Sequence, residues 1–205
     1  MKGIFITLEG GEGSGKTTAI NSIEAYFKNK GYQVICTREP GGISISEKIR
    51  DIILDVNNTK MTKETETLLY AASRMQHLSE KILPALENGM VVICDRYLDS
   101  SYVYQGIARG VGIEEVKMAN HFALKYMPDL TIFLDVRPEV GLKRIENRGK
   151  MDRLDLEKIE FHQSVYNGYL KICDMFKDRI VKINGENSQE VVINDIIEVL
   201  DNKFR

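Results

Sequence analysis

Short apolar runs alternate along the chain with longer stretches of helical spacing. Gly3–Leu8, Gln33–Thr37, Met90–Cys94, Leu130–Asp135 and Arg179–Ile183 are largely continuous apolar runs rather than alternating ones. Such runs predict strands buried on both faces. Between and after them, apolar residues recur every three or four positions. This predicts helices over Thr17–Lys30, Ser44–Leu54, Lys63–Glu87, Ile113–Lys125, Pro138–Asn147, Leu154–Lys177 and Ser188–Asn202. Pro84 falls late in the third helix and is expected to kink or end it. Strand–helix alternation implies an α/β fold with a five-stranded parallel sheet wrapped by helices. No repeat, linker or low-complexity segment interrupts the pattern, so residues 1–205 read as one domain.

Composition narrows the partners. The 205 residues suffice for one α/β domain with a sizeable core. A net charge of −2 does not favour a surface for duplex nucleic acid, so no nucleic-acid partner is expected. Cys36, Cys94 and Cys173 form no C-x-x-C pair, which argues against a zinc site or a disulfide framework. His77, His121 and His162 lack metal-ligand spacing and read as structural or surface residues. The N-terminus has no signal-peptide pattern, and no apolar run reaches membrane-spanning length. The expected setting is the reducing cytoplasm, without a membrane partner.

In parallel α/β sheets, ligands bind at the carboxyl ends of the strands. Gly10-Gly11-Glu12-Gly13-Ser14-Gly15-Lys16-Thr17 sits at such an end and fits G-x-x-x-x-G-K-[ST] between a strand and a helix. Glycines let successive N–H groups converge on a phosphate, and the helix adds its positive end. Lys16 supplies a point charge, and the Thr17 hydroxyl is placed for Mg²⁺. Glu12 is an acid inside this loop, so its side chain must turn away, toward a sugar hydroxyl or an arginine.

Other strand ends carry chemistry too. Val91-Val92-Ile93-Cys94-Asp95 ends in an aspartate that suits Mg²⁺, with Arg96 beside it for a second anion; alone, it reads equally as a solvated strand end. Arg38-Glu39-Pro40-Gly41-Gly42 makes a rigid turn in which Glu39 serves a metal or orders nearby arginines. Tyr70 and Arg74, spaced i,i+4, share a helix face suited to stacking on a base and bonding its edge; a core tyrosine beside a surface arginine is the alternative. Arg148-Gly149-Lys150-Met151-Asp152-Arg153 reads as a basic lid over a triphosphate or as a solvated loop.

Taken together and in this order, these motifs resemble those of the thymidylate kinase family across essentially the whole chain. The resemblance rests on Glu9–Thr18, Thr37–Gly42, Tyr70–Arg74, Asp95-Arg96-Tyr97, Tyr104-Gln105-Gly106 and the segment ending Asp152-Arg153. It implies a three-layer P-loop NTPase fold of the nucleoside monophosphate kinase kind, and transfer of phosphate from ATP to dTMP with Mg²⁺. Gly10, Gly11, Glu12, Gly13, Ser14, Gly15, Lys16, Thr17 and Thr18 would hold the ATP phosphates, with Thr17 and Asp95 at the metal. Arg96, with Arg38 or Arg50, would clamp the dTMP phosphate, and Glu39 belongs to the same site. Tyr70 would stack on thymine where the family usually has phenylalanine, and Arg74 would bond its edge. Ser101 and Gln105 would contact the base, Tyr104 would crowd the 2′ position, and Glu12 would meet the 3′-hydroxyl. The loop carries no arginine, which resembles the bacterial type with a basic lid at about residues 147–154. Lys16, Asp95, Arg96, Arg148 and Arg153 would then be the catalytic set, with Arg144 near adenine. The resemblance also implies a homodimer. Another nucleotide or metabolite kinase is the nearest competing reading; a GTPase switch is disfavoured by the lack of N-K-x-D.

Overall fold

The computed structural model describes residues 3–146 and 152–204. Five parallel strands form one sheet in the order β2-β3-β1-β4-β5: β1 Ile4–Glu9, β2 Val34–Arg38, β3 Val91–Asp95, β4 Leu130–Asp135 and β5 Ile180–Asn184. Registers such as Ile6 opposite Ile93 and Ile6 opposite Leu130 place β1 at the centre. The chain runs from β1 to the β2 edge, returns to β3, and then crosses β1 to reach β4 and β5, so the crevice at the carboxyl end of β1 is the expected ligand position.

Both faces of the sheet are buried, as the continuous apolar runs require. Ile6, Leu8, Val91, Ile93, Ile132 and Leu134 pack on one face with α1 (Lys16–Asn29) and α9 (Gln189–Lys203). Phe5, Val92, Cys94 and Phe133 pack on the other with α8 (Ile159–Met175). Between them lie α2 (Ser44–Leu54), α3 (Lys63–His77), α4 (Leu83–Glu87), α5 (Leu98–Ser101), α6 (Ile113–Ala119) and α7 (Pro138–Ile145).

The structure departs from the periodicity in four places. The helix expected over Lys63–Glu87 neither ends nor breaks at Pro84; a π-helical turn at Leu78–Ile82 joins α3 to α4. Widening the turn before a proline accommodates its ring and missing N–H. The helix expected over Ile113–Lys125 stops at Ala119. Asn120 leaves helical geometry there, and its side chain reaches Val116 O and Arg74. The helix expected from Leu154 begins at Ile159, because Asp152 Oδ1 accepts from Leu154 N and Asp155 N and stabilises a turn instead. Finally, Leu98–Ser101 is helical and continues as a π-helical segment, Tyr102–Ala108. All residues from Leu98 to Gly106 are buried, the polar Asp99, Ser100, Ser101 and Gln105 among them, so no split into an apolar and a solvent-facing side marks this helix in the sequence.

One buried ion pair ties the central sheet to α5. Arg179 donates to both carboxylate oxygens of Asp99, at 2.6 and 2.8 Å, and to Thr131 Oγ1 at 2.7 Å. Asp99 is fully buried. Arg179→Leu should therefore destabilise the fold by about 3–5 kcal/mol, because it leaves a buried carboxylate without its counter-ion. Urea unfolding at neutral pH measures this.

Candidate active site

The phosphate loop turns through three left-handed glycines, Gly13 (φ 68°), Gly15 (φ 96°) and Gly10 (φ 150°). Gly13 faces Gly141 of α7: a Cβ on Gly13 would strike the Gly141 carbonyl, and one on Gly141 would strike the Glu12 carbonyl. Two glycines thus let α7 touch the loop directly.

Three cavities meet at this loop. The central one, about 410 Å³, is lined by Gly13–Thr18, Glu12, Arg38, Glu39, Arg50, Asp95, Arg96 and Arg144. A narrower slot of about 90 Å³ opens from its Arg96 side, between Tyr70, Tyr104, Gln105 and Pro40. A third, about 270 Å³, opens across Arg144 toward Gly185, Asn187 and Gln189. Arg144 donates to Gly13 O at 3.3 Å and Gly185 O at 3.1 Å, so its guanidinium separates the third cavity from the first.

Lys16 is buried in the loop, and its Nζ donates to Gly10 O (3.3 Å), Gly11 O (3.1 Å) and Ser14 Oγ (3.4 Å). Burial, with Arg96 adding to it, lowers its pKa from the ordinary lysine value. An incoming anion reverses that cost. Thr17 and Thr18 are exposed to the central cavity. Asp95 faces it too, and its Oδ1 is buried with no hydrogen-bond partner among the described residues. A carboxylate oxygen left without a donor and a threonine hydroxyl at the same cavity are hard oxygen ligands of the kind Mg²⁺ takes, so the residues fit the ion.

Arg96 occupies the left-handed region (φ 66°), uncommon for a residue with a side chain. It is held there from both sides: its own N donates to Leu8 O at 2.9 Å, and Tyr97 N donates to Glu9 Oε1 at 2.8 Å. The guanidinium donates to Gly10 O (2.8 Å), Tyr169 OH (3.1 Å) and Glu12, and lies over the Tyr104 ring at 5.1 Å. Glu12 thus turns away from the loop amides toward Arg96 and the Tyr104 hydroxyl.

Several expected contacts are redirected. Arg38 is spent on Glu47, with Nη2 at 2.8 and 2.9 Å from its two oxygens, whereas Arg50 lines both the central cavity and the slot. Glu39 gives its oxygens to Arg74 Nε (2.7 Å) and His77 Nδ1 (3.1 Å), so it orders an arginine rather than a metal. Arg74 is not a surface residue: it is 1% exposed and also donates to Asn120, Tyr97 O and Ser101 Oγ. Most of its donors are therefore committed within the protein. Ser101 is sealed behind the slot by that bond, and its neighbour Ser100 lines the slot instead. Arg153, expected over the triphosphate, points the other way, donating to Glu66 and to Ile53 O at 2.8 Å, because the buried Glu66 carboxylate captures it. Arg148 and Lys150 lie outside the described residues, as does most of the expected lid. The Glu39–Pro40 peptide is cis.

Two carboxylates carry roles that the motifs do not assign. Glu66 stands one turn before Tyr70 on the same face of α3, a signal the i,i+4 spacing carried. Glu9 ends β1 with no exposure at all. It accepts from Tyr97 N, from Ser100 Oγ and from Tyr169 OH at 2.9 Å. Burial above all, and then the charge of Asp99, push its pKa up from 4.5 to about 7. Because the folded value is raised, stability from the protonated carboxyl is complete below pH 4.5 and lost as pH rises through about 7. Glu9→Gln should remove this dependence. Its stability relative to the native chain should improve steadily between about pH 5 and pH 7, read by urea unfolding across that range.

Comparison with known proteins agrees with the geometry. A family model described as thymidylate kinase matches residues 8–196. A thymidylate kinase of Bacillus cytotoxicus is 53% identical over the whole of both chains. One of Clostridium novyi is 54% identical over 95% of this chain and 97% of its own, and one of Oceanobacillus iheyensis 54% over 98% and 90%. With the phosphate loop, Asp95-Arg96 and the Tyr70 slot meeting at one strand-end crevice, the chain belongs to the thymidylate kinase family.

Proposed function

We propose that this protein transfers the γ-phosphoryl group of ATP to the phosphate of dTMP, giving ADP and dTDP. The observation that carries this reading is the row of three adjoining cavities along the strand ends, with only the Arg144 guanidinium between two of them. The phosphate loop lies at its centre, a flat slot walled by Tyr70 at one end, and Arg96 at the junction. A nucleoside triphosphate fits with its base across Arg144 and its phosphates on the loop. A nucleoside monophosphate fits with its base in the slot and its phosphate against Arg96 and Arg50.

The acceptor needs no general base. A phosphate monoester has a second pKa of about 6 and is already mostly dianionic at neutral pH. The task is to align two polyanions and neutralise their repulsion. Lys16 draws the donor phosphates into the loop, leaving its resting contacts with Gly10 O and Gly11 O. Arg96 is fixed between donor and acceptor by its pinned backbone and by Glu12. Thr17 and Asp95 would hold Mg²⁺, which when bound offsets charge on the phosphates. Tyr104 and Glu12 sit where a sugar joins the slot to the junction, which suits recognition of the deoxyribose 2′ and 3′ positions. Arg148 is assigned to the lid, whereas Arg153 anchors the segment following it.

We also assign a homodimer. Leu68 on α3, Ile45 and Ile52 on α2, and Met118 and Phe122 on and beyond α6 are exposed apolar residues, and α2 and α6 both pack against α3. The free thiols of Cys36, Cys94 and Cys173 fit a reducing, cytoplasmic setting.

Coupled ADP release with dTMP, dCMP, dAMP and dGMP tests the reaction: dTMP should be the preferred acceptor, and preference for another overturns it. Lys16→Ala should cut kcat/KM by at least about a hundredfold with the fold intact by circular dichroism. Leu68→Glu combined with Met118→Glu should shift the protein from dimer to monomer in sedimentation velocity.

A further inference from the structure

Glu66, Tyr70 and Arg74 occupy successive turns of one face of α3, so Glu66 lies beside the base slot without lining it. Its carboxylate is almost completely buried and flanked by two guanidiniums, Arg153 on Oε2 and Arg109 on Oε1 at 3.4 Å. The third group on it is the side-chain amide of Gln105, whose Nε2 donates to Oε1 at 2.9 Å.

That bond decides which way the amide points. An ionised carboxylate only accepts hydrogen bonds, so the NH₂ end of Gln105 must face Glu66. Reversing the amide would bring two acceptors together in a buried setting. The Gln105 carbonyl oxygen is therefore turned from Glu66. Gln105 lines the slot, and among the described residues no protein group donates to that oxygen.

We infer that Glu66 is a specificity-positioning residue: by orienting Gln105 it makes the slot present an acceptor to the base edge. This rests on the reading of the slot as the acceptor-base site. The edge that matches is an imide N–H, as at N3 of thymine or uracil. Cytosine presents a lone pair there, and two acceptors then face each other without water to separate them. A site built this way rejects the mismatched base more strongly than a merely apolar slot would.

In Glu66→Gln, Arg153, the nearer of the two guanidiniums, keeps the new carbonyl on its own side; the new NH₂ then faces Gln105, while Arg109, 3.4 Å from that side, retains its ion pair with Glu157. Gln105 then flips and offers its donor end to the base. The native chain, Glu66→Gln, Gln105→Leu and the double variant are assayed for kcat and KM with dTMP and dCMP, and the native chain also with N3-methyl-dTMP. Glu66→Gln should lower the dTMP-to-dCMP ratio of kcat/KM by about tenfold or more through the KM for dTMP, with the KM for ATP within about twofold. In the Gln105→Leu background, Glu66→Gln should change the ratio no further. The native chain should use N3-methyl-dTMP at least about a hundredfold less well than dTMP. If Gln105→Leu leaves the ratio unchanged, the base-site reading itself fails. If Gln105→Leu lowers it but Glu66→Gln reduces both substrates equally, Glu66 is only structural and the inference is overturned. Should Glu66→Gln not fold, the native chain decides: equal use of N3-methyl-dTMP overturns the amide orientation assigned to Glu66.

Discussion

A carboxylate shut away from water at the end of the central strand organises the reacting half of this molecule. Glu9 gathers the backbone of Tyr97 and the hydroxyls of Ser100 and Tyr169. The same two hydroxyls contact the Arg96 guanidinium, at 3.4 and 3.1 Å. One buried group thereby joins β1, the turn after β3 and helix α8, and it holds Arg96 in a backbone conformation that the side chain alone disfavours. Burial makes this carboxylate costly to ionise, and Arg96 offsets part of that cost.

The second constraint is charge. A loop that binds polyphosphate concentrates cations, and these repel one another until the anion arrives. Arg96 helps depress the pKa of Lys16, while Asp95, Glu12 and Glu9 act in the opposite sense. Carboxylates are therefore part of this cationic cavity and not contradictions of it. Glu12 balances Arg96, Glu39 balances Arg74, and Glu66 balances Arg153. Each pairing fixes a guanidinium or its neighbour in a set direction, which is what alignment of two substrates requires.

Much of the architecture was legible because local rules and burial agree there. The five strands stand within about a residue of their apolar runs, since a strand buried on both faces has no alternative composition. The turn of the Gly10–Lys16 loop was legible because its glycines meet steric needs that few other residues can. Legibility failed where burial is complete or where side chains compete with backbone. The 98–108 helix has no solvent-facing side to reveal it through Gly106, and Asp152 and Asn120 redirect helix ends by bonds that periodicity does not encode.

The sequence by itself determined the order of elements, the glycine-rich loop after β1 and the residue types gathered at the strand ends, because these depend on spacing along the chain. Only the tertiary structure decided how those charges pair. Arg38 with Glu47 and Arg74 with Glu39 join residues 9 and 35 positions apart, and Arg153 with Glu66 joins residues 87 apart. An arginine has five donors and a long reach, so its partner is set by which carboxylate the fold buries beside it. That choice depends on three-dimensional neighbours, and it separates the arginines free to face phosphate from those that hold the site together.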